Sequence, residues 1–232
     1  MTPIPNSIYV TFIVALTIAL FAGCDCNGAE PAEPLPEGEL VYDEDFSTGE
    51  LGPEWKLGFY NDEQERDGVE IDDIWQIIDG TLHVQGAQNK GLWLQKPLPE
   101  QFRISFTARS EAVSGDIKFE VLGDGQANAS GYVGIFGGWN NSLNIVARLD
   151  EHGDDRLEGA SQHRVERGRD YRFDVVRTDQ RLRWYVDGEL FLSFDDPAPL
   201  RGDDHQYFAF NNWETPLFFD DLRIYDVSES QP

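Results

Sequence analysis

From Val41 onward the chain is written in a period of two. The segments "LVYDEDF", "IWQIIDGTLHVQG", "GLWLQKPL", "FRISFTARS", "DIKFEVLG" and "YVGIFGG" alternate or run apolar over strand length. So do "LNIVARLD", "YRFDVVR", "LRWYVDGELFLSF", "QYFAFNN" and "LFFDDLRIYDV", with turn residues breaking the pattern at short intervals. No stretch carries the apolar spacing of a long amphipathic helix, and no internal repeat is visible. Asp79-Gly80 and Asp187-Gly188 each separate two apolar strands and read as tight hairpin turns. So many short strands in one domain predict an all-β fold, a two-sheet antiparallel jelly-roll sandwich.

The length of 232 residues suits one sizeable domain plus a leader. Fifteen Phe, eight Tyr and six Trp supply an ordinary packed core. A net charge of -25 repels phosphate backbones, which makes nucleic acid and anionic membrane surfaces poor partners.

Residues 8 to 22, "IYVTFIVALTIALFA", are short for a membrane span and long enough for the apolar region of a signal peptide. The run ends in "LFAGCDC", and Leu20 to Cys24 resembles a bacterial lipobox, in which the cysteine is lipidated and becomes the mature N-terminus. On that resemblance Cys24 is the lipidation site, 1–23 a lipoprotein-type signal peptide, and the protein is exported to the bacterial envelope, facing the periplasm or the surface. Its membrane partner is then the bilayer, reached through the lipid anchor. A non-lipidated signal peptide or an N-terminal anchor is the alternative. Asp25 resembles an inner-membrane retention signal. Cys24 and Cys26 are the only cysteines, so the body has no disulfide framework, cysteine nucleophile or thiolate metal site. Residues 24–39 are acidic and Pro-rich and read as an extended tether, followed by the folded domain over 40–228 and a short tail over 229–232.

The order "DEDFSTGELGPEW", "IWQIIDGTLHVQG", "GRDYRFDVVRTDQRLRWYVDGELFLSFDD" and "FFDDLRIYDV" resembles the concanavalin A-like lectin/glucanase superfamily. Its bacterial laminin-G-like and 3-keto-disaccharide-hydrolase-type branches are the most similar. The similarity runs from about residue 41 to 227 and implies a sandwich with one open, concave sheet. It also implies that the first and last strands are neighbours, where related sandwiches hold a structural calcium; Asp45 and Asp221 are the candidate ligands.

Glucanases of this superfamily carry E-x-D-x-x-E on one strand, because retention needs two carboxyls across the scissile bond. "EIDDIW" has Glu70 and Asp72, but Trp75 stands where the second glutamate belongs, so this match is set aside. The stretch "GGWNNSLNIVARLDEHGDD" is richer. Alternation places Leu143, Ile145, Ala147 and Leu149 toward the core, with Asn144, Val146, Arg148 and Asp150 outward. The preceding strand then turns Val133 and Ile135 inward and Tyr132, Gly134 and Phe136 outward, with Trp139, Asn140 and Asn141 at the hairpin tip. Near the C-terminus Phe208 and Phe210 fit the core, while Tyr207, Asn211 and Trp213 share the other face. Aromatic planes beside fixed amides and a guanidinium suit sugar rings and their hydroxyls. The candidate carbohydrate-binding set is therefore Trp139, Asn140, Asn141, Asn144, Arg148, Tyr207, Asn211 and Trp213. The bland reading is that the tryptophans cap the sandwich and the asparagines build turns.

Asp150, Glu151 and His152 form a candidate acid–base group, since a histidine among carboxylates can move protons near neutral pH. Solvated turn residues give the same pattern. Three functions follow: a lipid-anchored carbohydrate-binding domain, a glycoside hydrolase or lyase working through the Asp150–His152 region, or an interaction module with no small ligand.

Overall fold

A computed structural model describes residues 34–59, 68–159 and 163–228. Cys24, the leader, most of the tether and the tail lie outside the described residues. The early strands are β1 (Glu39–Glu44), β2 (Trp55–Leu57), β3 (Trp75–Ile78), β4 (Thr81–Val84) and β5 (Leu92–Leu94). The middle ones are β6 (Phe102–Ser110), β7 (Ile117–Gly123), β8 (Tyr132–Gly137), β9 (Leu143–Arg148) and β10 (Leu157–Glu158). The last are β11 (Asp170–Thr178), β12 (Arg181–Val186), β13 (Glu189–Asp195), β14 (Tyr207–Asn211) and β15 (Leu217–Asp226).

They form two antiparallel sheets. One runs β13-β12-β11-β6-β15-β4-β3 with β1 added beside β15, and the other runs β10-β9-β8-β7-β14-β5-β2. This is the jelly-roll sandwich expected from the alternation. The hairpins at Asp79-Gly80 and Asp187-Gly188 turn with φ 52° and 77°, and 52° and 82°, the left-handed pair that matches strand twist. First and last strands do lie side by side, with Glu44 opposite Leu222. Between the sheets the core is aromatic. Phe106 stacks on Phe173 at 5.0 Å and meets Phe119 and Phe210 edge-on at 5.4 Å, geometries that satisfy the ring quadrupoles.

The second sheet departs from the alternation. Every residue of β8 is buried, and its core-facing side carries Tyr132 and Phe136, whereas Val133 and Ile135 join Ile145 and Ala147 in a separate cluster on the outer face. Gly134 faces the core, because a Cβ there would sit 2.4 Å from the Phe119 ring. On β9 the phase is likewise the reverse of that expected: Val146 packs in the main core, and Asn144 and Arg148 share its side. The reason is physical. Period two reveals which face is inside only when the other face meets water, and here loops roof the outer face, so both sides of the strand are apolar.

Candidate functional site

The roofed outer face of the second sheet is the trough in which a site sits. On β7 the core takes Ile117, Phe119 and Val121, so Lys118 and Glu120 project into the trough, with Asp116 at the strand's entrance. Row by row, Lys118 lies between Asn211 of β14 and Ile135 of β8, and Glu120 between Ala209 and Val133. An open cavity of about 810 Å³ begins at Lys118, within the usual size of a ligand site. Asn89, Asp116, Lys118 and Glu151 floor it, while Trp139 and Trp213 stand at its rim.

The floor is held by charge. Lys118 is 2% exposed; its Nζ donates to Asn89 Oδ1 at 2.7 Å and makes a short ion pair with Glu151. Burial pushes the Asp116 carboxyl up to about 6, with the Lys118 ammonium pulling it down and Glu151 pushing it further up. Burial likewise drives Glu120 up to about 7 against the pull of Lys118, the Ala129 backbone and Asn211. Asn211 donates to Glu120 Oε1 at 2.6 Å, and Glu120 Oε2 is without a hydrogen-bond partner.

The rim is rigid. Trp139, Asn140 and Asn141 all take positive φ (48°, 59° and 60°) within the single turn Gly138–Asn141. For a non-glycine residue that conformation costs roughly 1–2 kcal/mol. Buried Asn141 secures the turn: its amide donates to the carbonyls of Val113 and Val165, and its Oδ1 accepts from Val165 N. The ring of His152 meets Trp139 edge-on at 5.6 Å, and the Arg156 guanidinium lies 5.1 Å from its centre. Across the cavity, Gln88 N and Asn89 N donate to the carbonyls of Trp213 and Asn212, from a second left-handed pair at φ 50° and 65°. Asp116 is left-handed too, at 71°. Of the residues with positive φ, Asn89, Asp116, Trp139 and Asn140 border the cavity; Asn and Asp tolerate this conformation well, so the cost falls chiefly on Trp139.

The structure brings together Trp139, Asn140, Trp213, Glu151 and His152. It does not bring the other candidates there. Asn144 and Arg148 point away: Asn144 accepts from Gly137 N and donates to the His163 carbonyl, while Arg148 pairs with Asp196 at 3.0 Å. Asn141 builds the turn, as the bland reading had it. Asn211 is on the trough side but sealed beneath residues 124–131, bonded to Asn128 and Glu120, and half-buried Tyr207 packs by Gly125. Asp150 is exposed and accepts from His152 N, a turn role. Asp45 accepts from Ser47 N, and Asp221 is paired with Arg223 at 2.9 Å. Among the described residues no group of three or more His, Cys, Asp or Glu side chains could hold a metal ion. Within the "EIDDIW" stretch, Ile71–Asp73 form a 3-10 turn with Glu70, Asp72 and Asp73 exposed, while Trp75 is fully buried as the first residue of β3.

Asn89, Asp116, Lys118 and Glu120 escaped the sequence reading. The available signal was "DIKFE", three charged residues at alternate positions of a strand whose other positions are apolar. Such charges ordinarily mark a solvated face.

No family model matches the sequence, nor does any curated protein. Solved structures do match. The carbohydrate binding module CBM66 from Bacillus subtilis is 12% identical with a TM-score of 0.56, covering 75% of this chain and 96% of that one. Domain 4 of AbnA, an extracellular arabinanase of Geobacillus stearothermophilus in complex with arabinotriose, is 16% identical with a TM-score of 0.53, covering 84% and 100%. A laminarinase from Flavobacterium sp. UMI-01 is 12% identical with a TM-score of 0.55, covering 81% and 100%. The chain shares the two-sheet antiparallel jelly-roll fold of these structures.

Proposed function

We propose that this protein is an exported, lipid-anchored domain that binds a carbohydrate in the trough. One observation carries the reading: Trp139 and Trp213, 37% and 46% exposed, stand on the rim of a cavity floored by polar groups already fixed by one another. Aromatic faces cover the C–H faces of a sugar, and the floor offers both donors and acceptors to its hydroxyls. The names of solved structures sharing the fold, a carbohydrate binding module and an arabinanase domain with arabinotriose, support it.

Trp213→Ala is expected to weaken glycan binding by about 1–3 kcal/mol, the range for central binding residues. Because nearly half the side chain meets solvent, its melting temperature should hardly change. A glycan array followed by calorimetry and melting curves on the same variant checks both. A large loss of stability with unchanged binding would make Trp213 a packing residue and sink the reading.

The anchor has a separate test. With Cys24→Ala, incorporation of an alkynyl fatty acid should disappear and the protein should leave the membrane fraction. Label retained in that variant would rule out Cys24 as the lipidated residue.

A second reading, a glycoside hydrolase or lyase, is favoured by one specific observation. Asp116, whose carboxyl is raised to about 6, shares the floor with Glu151, and a carboxyl that exchanges its proton around pH 6 beside a second carboxyl group suits general acid–base work. Turnover abolished by Glu151→Gln and Asp116→Asn would carry it. Absence of turnover on all neutral glycans that bind would leave binding as the whole function.

A further inference from the structure

The trough is open at one end only. At Lys118 the sheet faces the cavity, but one alternate position further along β7 it is sealed. Glu120, Trp93, Val133, Ala147 and Ala209 are each 1% exposed or less. The seal is the connection between β7 and β8, residues 124–131, which folds back across the sheet. Ala129 packs on the Val133–Ala147 cluster.

This connection is a wall. Inside it, Asp124 Oδ1 accepts from Gln126 N, Ala127 N and Ser130 Oγ at 2.7–3.0 Å. Outside it, Phe59 N donates to Gln126 O and Asn128 N to Phe59 O, at 3.0 and 3.1 Å. Gln95 donates to the Gly125 carbonyl at 3.0 Å, Asn211 to Asn128 Oδ1 at 2.8 Å, and Leu149 N to Gly131 O at 2.9 Å. Beneath it lies Trp93, pressed so closely on the backbone that a Cβ on Gly123 would stand 2.2 Å from its ring. The wall is thus stapled to four other segments and floored by an indole.

A polymer that passes along a sheet needs the groove clear at both ends. Here the ring nearest Lys118 meets the wall, so a chain lying along β7 can continue in one direction only. The charged lining comprises Asp116, Glu151 and Glu214 against Lys118, with His152 beside them, which disfavours an anionic sugar. We propose that the site takes the terminal residue of a neutral glycan and rejects internal stretches of the same polymer. This rests on the carbohydrate reading above, and narrows it to chain ends.

The experiment compares each of a panel of neutral polysaccharides (laminarin, levan, arabinan, mannan and xylan) with fragments of itself made by partial hydrolysis, by calorimetry at equal mass. If ends are bound, fragments about tenfold shorter should half-saturate the protein at about tenfold lower mass concentration, since Kd then counts termini. Equal or weaker binding of the fragments by mass would overturn end recognition while leaving carbohydrate binding intact. Failure of every polymer and fragment to bind would overturn the carbohydrate reading itself, and this proposal with it. Trp139→Ala places the ligand: binding by ends should fall at least tenfold, and unchanged binding would put it elsewhere and overturn the proposal.

Discussion

Replacing Lys118 by methionine is expected to lower stability at pH 8 by about 3–5 kcal/mol, the cost of leaving buried partners of a broken ion pair uncompensated. Lys118 is nearly inaccessible and, among the described residues, is the only lysine or arginine lining the cavity, where it faces Glu151 and acts on both Asp116 and Glu120. Methionine keeps much of the length and all of the apolar packing, so the loss reports charge. The pH dependence follows from the two raised carboxyls. Lys118 pulls both down, so removing it raises both further in the folded state alone. A carboxyl that binds its proton more tightly when folded makes stability fall as pH rises toward the folded value. The deficit of the variant should therefore be smaller at pH 5, where both carboxyls hold protons, and larger at pH 8. Denaturant titrations at the two pH values check this. An equal deficit at both would mean that the lysine acts through its bonds to Asn89 and Glu151 and not through the two raised carboxyls.

Glu120→Gln is expected to act in the opposite direction. Its carboxyl, fully buried with Oε2 unpartnered, sits near 7 in the folded protein against a free value of 4.5. Between those values the folded state holds a proton that the unfolded state has released, so wild-type stability declines as pH rises from about 4.5 to about 7. Two to three pH units of such mismatch amount to roughly 3 kcal/mol above neutrality. Glutamine preserves the acceptor for Asn211 and cannot ionise. The variant should melt roughly 6–12 °C above wild type at pH 8, using the usual conversion for a domain of this size. At pH 5 the two should nearly coincide. A wild-type slope that persists unchanged in the variant would assign the pH dependence to other groups.

Both variants turn on residues that the sequence kept in plain view without disclosing their place. Strand existence was legible throughout, because alternation and Asp-Gly turns are local signals. So was the phase of β14, where Phe208 and Phe210 pack inward and Tyr207, Ala209 and Asn211 face the trough. Trp139 and Trp213 were legible as aromatic residues among polar neighbours. The phase of β8 and β9 was not, because an apolar cluster roofed by loops makes both faces read as inside. Nor was the floor. "DIKFE" looks like an ordinary solvated strand until residues 124–131 and the loop carrying Glu151 fold over it, and no spacing within β7 encodes how a loop some ten or thirty residues later will lie.

The turn that presents Trp139 has a consequence for how this protein can change. Three successive side-chain-bearing residues in a conformation made for glycine are a standing invitation to substitution. Glycine at 139 or 140 would relax the backbone and leave the sandwich untouched, so a variant library sorted only by heat resistance should enrich glycine there. Each such gain at position 139 removes an indole from the rim. Ligand capture and thermal endurance are therefore antagonists at this corner, and a library sorted on both together should keep tryptophan at 139 and take its gains from elsewhere in the molecule.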